Sequence, residues 1–167
     1  ETGFSYPIIA GHIGFLVRTI YMAIYDQYST GVSLDIGYTK LFSSGWNAGI
    51  SLLNIGKLSN MNIKTPELPM RLLAGVSRSM DGGRFQNLVC MTGEWAFLPQ
   101  NWKVSFGNDF SWDQFHILSG TSFTDQTSSV SIGTGLQLGR FKVFYAIRFS
   151  SQDIGMPHTF SINTRLP

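Results

Sequence analysis

The stretch Gly31-Val32-Ser33-Leu34-Asp35-Ile36-Gly37-Tyr38-Thr39 decides the fold class. Its even positions (Val32, Leu34, Ile36, Tyr38) are apolar, and its odd positions (Ser33, Asp35, Gly37, Thr39) are small or polar. Side chains two apart on a strand share a face, so this is a strand with one oily side and one polar side. The pattern recurs outward from it. Trp46, Ala48, Ile50 and Leu52 oppose Asn47, Gly49 and Ser51; Met70, Leu72, Ala74 and Val76 oppose Arg71, Gly75, Ser77 and Ser79. Further on, Trp102, Val104, Phe106 and Phe110 oppose Lys103, Ser105, Gly107 and Asp109. Phe141, Val143, Tyr145, Ile147 and Phe149 oppose Lys142, Ala146 and Arg148, and Phe160, Ile162 and Leu166 oppose Ser161, Asn163 and Arg165. Strands of this kind build a sheet with one apolar surface, and what covers that surface becomes the functional question.

The alternation predicts strands at about Gly3 to Ile9, His12 to Tyr25, Gly31 to Phe42, Trp46 to Lys57, Met70 to Met80 and Phe85 to Phe97. It continues at Lys103 to Trp112, Phe115 to Phe123, Ser129 to Gly139, Phe141 to Ser151 and His158 to Leu166. Most are near the roughly 9 to 11 residues that a tilted strand uses to cross a bilayer. Ser43-Ser44-Gly45, Asp81-Gly82-Gly83, Pro99-Gln100-Asn101 and Gly139-Arg140 are short and made of turn formers, which predicts antiparallel hairpins. The longer links, Ser59 to Pro69, Thr124 to Ser128 and Gln152 to Pro157, roughly alternate with the short ones, as when one rim carries turns and the other loops.

Composition narrows the choice. The chain has 167 residues, 43% of them hydrophobic and only 13% charged, with a mean hydropathy of +0.06. This length reads as one domain, residues 1–167. No run reaches the roughly 18 apolar residues of a membrane helix, so any crossing of lipid has to be made by strands closed into a barrel. A water-soluble sandwich or lipocalin-like barrel is the competing reading, but its outer faces carry more charge than glycine, serine and threonine supply here. The expectation is therefore an all-β, antiparallel transmembrane β-barrel. Trp46, Trp102, Phe85, Phe97, Phe115, Phe123, Phe141 and Phe149 fall near strand ends, where an interfacial girdle sits, although aromatic filling of a large β-core gives the same count.

A formal charge of +2 with scattered Lys and Arg points away from nucleic acid as a partner. The single Cys90 excludes an internal disulfide framework, and His12, His116 and His158 are too few and too scattered for a metal-ligand cluster. No cofactor is expected. No basic, apolar leader opens the sequence, which is expected of a processed chain or a piece of a longer one.

No elbow-glycine serine motif, phosphate-cradling loop or paired-carboxylate signature is present, so a non-enzymatic protein is expected. His116 or His158 beside a serine comes nearest to a hydrolase constellation. The ionisable residues on the polar face are Asp35, Arg71, Glu94, Lys103, Asp109, Arg148 and Arg165. They either line a pore or ligand path or form structural pairs that fill the interior, and pairing is the commoner use. Asn54 with Gly56 either marks a kink or ends a strand in a turn. In the Ser59 to Pro69 loop, Met61, Ile63, Pro66 and Pro69 are the candidates for contact with a partner, because methionine adapts to binding surfaces.

Two segments carry a family likeness. Ser29-Thr30-Gly31-Val32-Ser33-Leu34-Asp35-Ile36-Gly37-Tyr38, followed by Trp46-Asn47-Ala48-Gly49-Ile50-Ser51-Leu52-Leu53-Asn54-Ile55-Gly56, resembles the PorV/PorQ family of FadL-like outer-membrane β-barrels from Bacteroidetes and relatives. In that pattern a strand with a buried Asp before Gly precedes a strand ending in an Asn-hydrophobic-Gly corner. A polar loop follows, and then a Pro opening an Arg-containing strand, here Pro69 and Arg71. The likeness extends to His158-Thr159-Phe160-Ser161-Ile162-Asn163.

The resemblance implies a barrel of about fourteen strands, of which this chain would supply the C-terminal ten or eleven. It implies the outer membrane of a Gram-negative bacterium, with membrane lipid around the barrel. It further implies a binding or anchoring role in type IX protein secretion or cell-surface attachment, with translocon or attachment subunits and cargo proteins as partners. The alternative it carries is a FadL-like transporter of hydrophobic small molecules. The chain departs from the pattern in finishing on Leu166 and Pro167 rather than on an aromatic residue.

Overall fold

The computed structural model describes residues 1–9, 11–25, 27–60, 67–152 and 155–164. Among these residues every regular element is a strand. In chain order they are β1 (Thr2–Ile8), β2 (Gly11–Ile24), β3 (Gln27–Leu41), β4 (Trp46–Leu58), β5 (Arg71–Asp81) and β6 (Phe85–Phe97). There follow β7 (Gln100–Trp112), β8 (Phe115–Thr124), β9 (Ser128–Leu138), β10 (Phe141–Ser150) and β11 (His158–Thr164). They make an 11-stranded antiparallel sheet in simple sequence order, as short links require, since a strand with a tight turn behind it can reach only its neighbour. Among the described residues no ladder joins β1 to β11.

The expected strands are all present, with shifts at their ends. β3 starts at Gln27, ahead of the expected Gly31. Ser29 and Thr30 are held there: Ser59 N donates to Thr30 O at 2.7 Å, and Ser29 Oγ donates to Ser59 O at 2.7 Å. β7 starts at Gln100, so the expected turn Pro99-Gln100-Asn101 contracts to Leu98 and Pro99. Proline has no N–H to give a ladder, whereas Gln100 and Asn101 do. Tight turns follow β3, β5, β7 and β9, and Gly83 and Gly139 supply the left-handed backbone there, with φ of 83° and 57°. The long links follow β4 and β10.

The chain divides into two compact units: Glu1–Phe42 with Asn47–Gly75 and Gly93–Trp102, and Ser43–Trp46 with Val76–Thr92 and Lys103–Pro167. In the first, Phe4 pairs Phe15 and Tyr6 pairs Ile13, Val17 pairs Leu34, and Ile36 and Tyr38 pair Leu52 and Ile50. That face is mostly apolar, with Thr19 and Lys57 flanking Val32 on it. The opposite face pairs Arg18 with Ser33 and Gly14 with Gly37. In the second unit Phe110 pairs Ile117 and Trp112 pairs Phe115, while Tyr145 pairs Phe160. Its other face sets His116 against Gly135 and Gly133 against Ala146.

Burial runs opposite to that of a protein with an oily core. Among the described residues the buried hydrophobic side chain is Leu58, whereas Ser29, Ser33, Asp35 and His116 are buried polar ones. Phe4 is 74% exposed, Trp112 60%, Ile132 59% and Phe160 65%. In each unit the buried side chains lie on the small and polar side, although His12, Lys103 and Arg148 on that side are exposed, and the large side chains of the oily side are extensively exposed.

Candidate functional site

The site grows from an irregularity in β4. Leu34 pairs Ile55 but Ile36 pairs Leu52, so Asp35 faces both Leu53 and Asn54, one residue against two. Asn54 takes up the extra residue with a φ of 60°, a conformation asparagine tolerates better than most. Its N–H, lost to the ladder, donates to Asp35 Oδ1 at 2.8 Å. Arg18 Nη2 donates to the other oxygen, Asp35 Oδ2. A carboxylate buried to 6% exposure is tolerable only when it is bonded in this way. Glu1 Oε1 lies 3.4 Å from Arg18 Nε.

The Asn54 side chain then reaches forward, and its Nδ2 donates to Pro69 O at 3.0 Å. Past the bulge the two strands close tightly. A Cβ at Gly56 would lie 2.1 Å from Val32 O, and one at Gly31 would lie 2.4 Å from Lys57 O, so only glycine fits either position. Of the two readings of Asn54 and Gly56, the geometry shows the kink, since β4 runs on to Leu58. Asp35, Asn54 and Pro69 thus form one connected corner. Arg71, just beyond it, pairs with Glu94 at 3.0 Å. The corner holds one end of the link between β4 and β5 in a fixed place.

A second polar cluster lies in the other unit. Asp109 Oδ1 lies 2.9 Å from His116 Nδ1, and the His116 ring meets Phe144 edge to face at 5.4 Å. Phe144 lies in the notch left by Gly135, where a Cβ would come 2.4 Å from its ring. Among the described residues no serine hydroxyl bonds His116, and Ser111, its partner across the ladder, donates instead to Gln86 O at 3.4 Å. His158 Nδ1 meets the Tyr145 hydroxyl at 2.7 Å. Among the described residues neither histidine is hydrogen-bonded to a serine hydroxyl.

The remaining sequence candidates are dispersed. Lys103 and Arg148 are exposed and make no ion pair among the described residues. Arg165, Met61, Ile63 and Pro66 lie outside the described residues. Pro69 is exposed, with its carbonyl held by Asn54. Sequence reasoning did not find Arg18 or Phe144. The signal for Phe144 was Gly133 and Gly135, two absent side chains on the neighbouring strand that leave room for a ring. The signal for the bulge was Leu52-Leu53-Asn54-Ile55, where the apolar positions change from even to odd.

In the first unit, Gly14 and Gly37 meet in register and leave a trough of about 490 Å³ on the polar face, bordered by His12, Leu16, Asp35, Ser51 and Leu53. Among the described residues no three His, Cys, Asp or Glu side chains are grouped to hold a metal ion. All eight end-of-strand aromatics, Trp46, Phe85, Phe97, Trp102, Phe115, Phe123, Phe141 and Phe149, are exposed. Trp102 and Trp112 are ten residues apart along β7, about 33 Å of extended strand. Compared with models of known families and with curated proteins, the chain matches none.

Proposed function

We propose that this chain is part of the wall of an outer-membrane β-barrel in a Gram-negative bacterium. Within that wall it acts as a non-enzymatic binding or anchoring component of a type IX secretion or surface-attachment complex. The observation that carries the membrane reading is the burial pattern: among the described residues the buried side chains are two serines, an aspartate, a histidine and one leucine, while phenylalanines, tryptophans and isoleucines are exposed. Such a face in water is an aggregation liability far beyond the few hundred Å² of apolar patch a soluble monomer exposes, and in hydrocarbon it is ordinary. The platform role is supported by the likeness in sequence and by the convergence of Asp35, Asn54 and Pro69. Their network is a device for fixing where a rim loop returns to the sheet, and a surface that must present a loop to partners needs that.

The experiment is fractionation of the native cell envelope followed by gentle detergent extraction. The protein is expected in the outer-membrane fraction, with a gel mobility that changes on boiling, and with secretion or surface-exported proteins co-purifying. Recovery as a stable monomer from the aqueous fraction would overturn the reading. The trough beside Gly14 and Gly37 favours the transport alternative, in which a hydrophobic small molecule lies against Leu16 and Leu53. In that case native mass spectrometry of the extracted protein would show a bound apolar ligand that Gly37→Phe removes.

A further inference from the structure

On the oily face of the second unit, which also carries Thr121 and Thr134, a pair of carboxamides lies at a depth where hydrocarbon is expected. Asn108 Nδ2 donates to Asn87 Oδ1 at 2.6 Å, linking β7 to β6. Asn108 pairs across the next ladder with Ser119 of β8, which is exposed. The three share their face with Phe106, Ile117 and, on β9, Ile132, all exposed. Ser119 is midway along β8 between the aromatic ends Phe115 and Phe123, and Asn108 is close to the middle of the step from Trp102 to Trp112. If those aromatics mark the two interfaces, the carboxamides sit within a few ångströms of the bilayer midplane, roughly 12 Å from either edge of the apolar band.

Water and headgroups do not reach there. The pair satisfies one donor and one acceptor, and among the described residues neither side chain makes a further hydrogen bond. Both N–H groups of Asn87, one N–H of Asn108 and the Asn108 carbonyl oxygen remain open. In hydrocarbon each open polar group is costly, and polar side chains at that depth ordinarily meet a partner.

From this we infer that the Asn87–Asn108–Ser119 patch is the contact through which two copies of the chain associate side by side in the membrane. The inference rests on the membrane reading above. A second copy is the occupant that the chemistry selects. A carboxamide carries donor and acceptor together, so a patch with both left open complements itself under a two-fold axis. Lipid tails offer neither. The surrounding Phe106, Ile117 and Ile132 supply an apolar rim that packs equally well against its own image.

The test uses the full chain purified in mild detergent, with its oligomeric state measured by sedimentation and its fold checked by heat-modifiable mobility. The wild type is expected to sediment as a dimer. The double variant N87L/N108L replaces both partners with apolar groups suited to the belt, so it should keep the mobility shift while its dimer dissociates about tenfold more readily. In a Cys90→Ser background, Ser119→Cys should give a cross-linked dimer with a short bis-maleimide in native membranes, and Ile50→Cys on the first unit should not.

A folded wild type that sediments only as a monomer, or equal cross-linking from both cysteines, overturns the proposal and leaves the barrel untouched. A dimer indifferent to N87L/N108L also overturns it. A chain that needs no detergent and shows no mobility shift fails the membrane reading instead, and the two failures are thereby distinguished.

Discussion

The pairs β3–β4 and β9–β10 fill the covered side of the sheet in opposite ways. Between β3 and β4 the ladder slips by one residue, and the space is taken by charge: Asp35 bonded to Arg18 and to the Asn54 N–H. Between β9 and β10 the register runs from Phe141↔Leu138 to Ser150↔Ser129 without a slip. There the space is made by Gly133 and Gly135 and taken by the Phe144 ring. The first solution depends on hydrogen bonds that must all be present, and the second on volume. A charged corner should fail sharply when one member is removed, whereas a packed notch should fail gradually and be repairable by a compensating change in size.

The largest effect should come from Asp35→Ala. It strands a half-buried Arg18 and leaves the Asn54 N–H without its acceptor, at a cost of about 2–4 kcal/mol. This should appear as loss of the heat-modifiable form at a lower urea concentration, and an unchanged midpoint would dissolve the contrast. Next is Gly135→Val, where overpacking against Phe144 should cost about 1–3 kcal/mol. Adding Phe144→Ala to the same chain should return most of that loss, and no rescue would mean that volume is not what the notch regulates.

Arg71 and Glu94 sharpen the comparison because they are an ion pair between two side chains. Glu94→Leu alone should destabilise by about 1–2 kcal/mol, while Arg71→Met with Glu94→Leu should come within about 1 kcal/mol of wild type. The smallest effect is expected of Asn54→Gly. Glycine keeps the positive φ and the backbone bond to Asp35 and loses only the exposed bond to Pro69 O, so the change should stay under about 1 kcal/mol. Its signature would be faster proteolysis in the link that follows β4, with the barrel's midpoint unmoved.

The strands were legible because their alternation is clean wherever one face is small or polar. From Trp46 to Leu52 or from Phe141 to Phe149 the letters alone give the faces. β2 was harder to read, because Leu16, Ile20 and Met22 share the polar face with His12 and Arg18, and no period separates the sides. Arg18 therefore passed as one charge in an oily run, and its partner became visible only through the register that sets it beside Ser33 and within reach of Asp35. The polar candidates Arg71 and Glu94 were readable as residues but not as a pair, since nothing local says which strand positions face each other. Asn87 and Asn108 were missed for the opposite reason: each stands alone among apolar neighbours, and only their meeting makes a feature.

The bulge at Asn54 has one more consequence. Strike out that single letter, and Trp46, Ala48, Ile50, Leu52, Ile55 and Lys57 fall on alternate places without interruption. β4 is two phrases of opposite phase spliced at one position, with the Asp35 carboxylate as the stitch. A chain shortened by that residue would still know its inside from its outside, yet it would have lost the fixed point to which its longest loop returns.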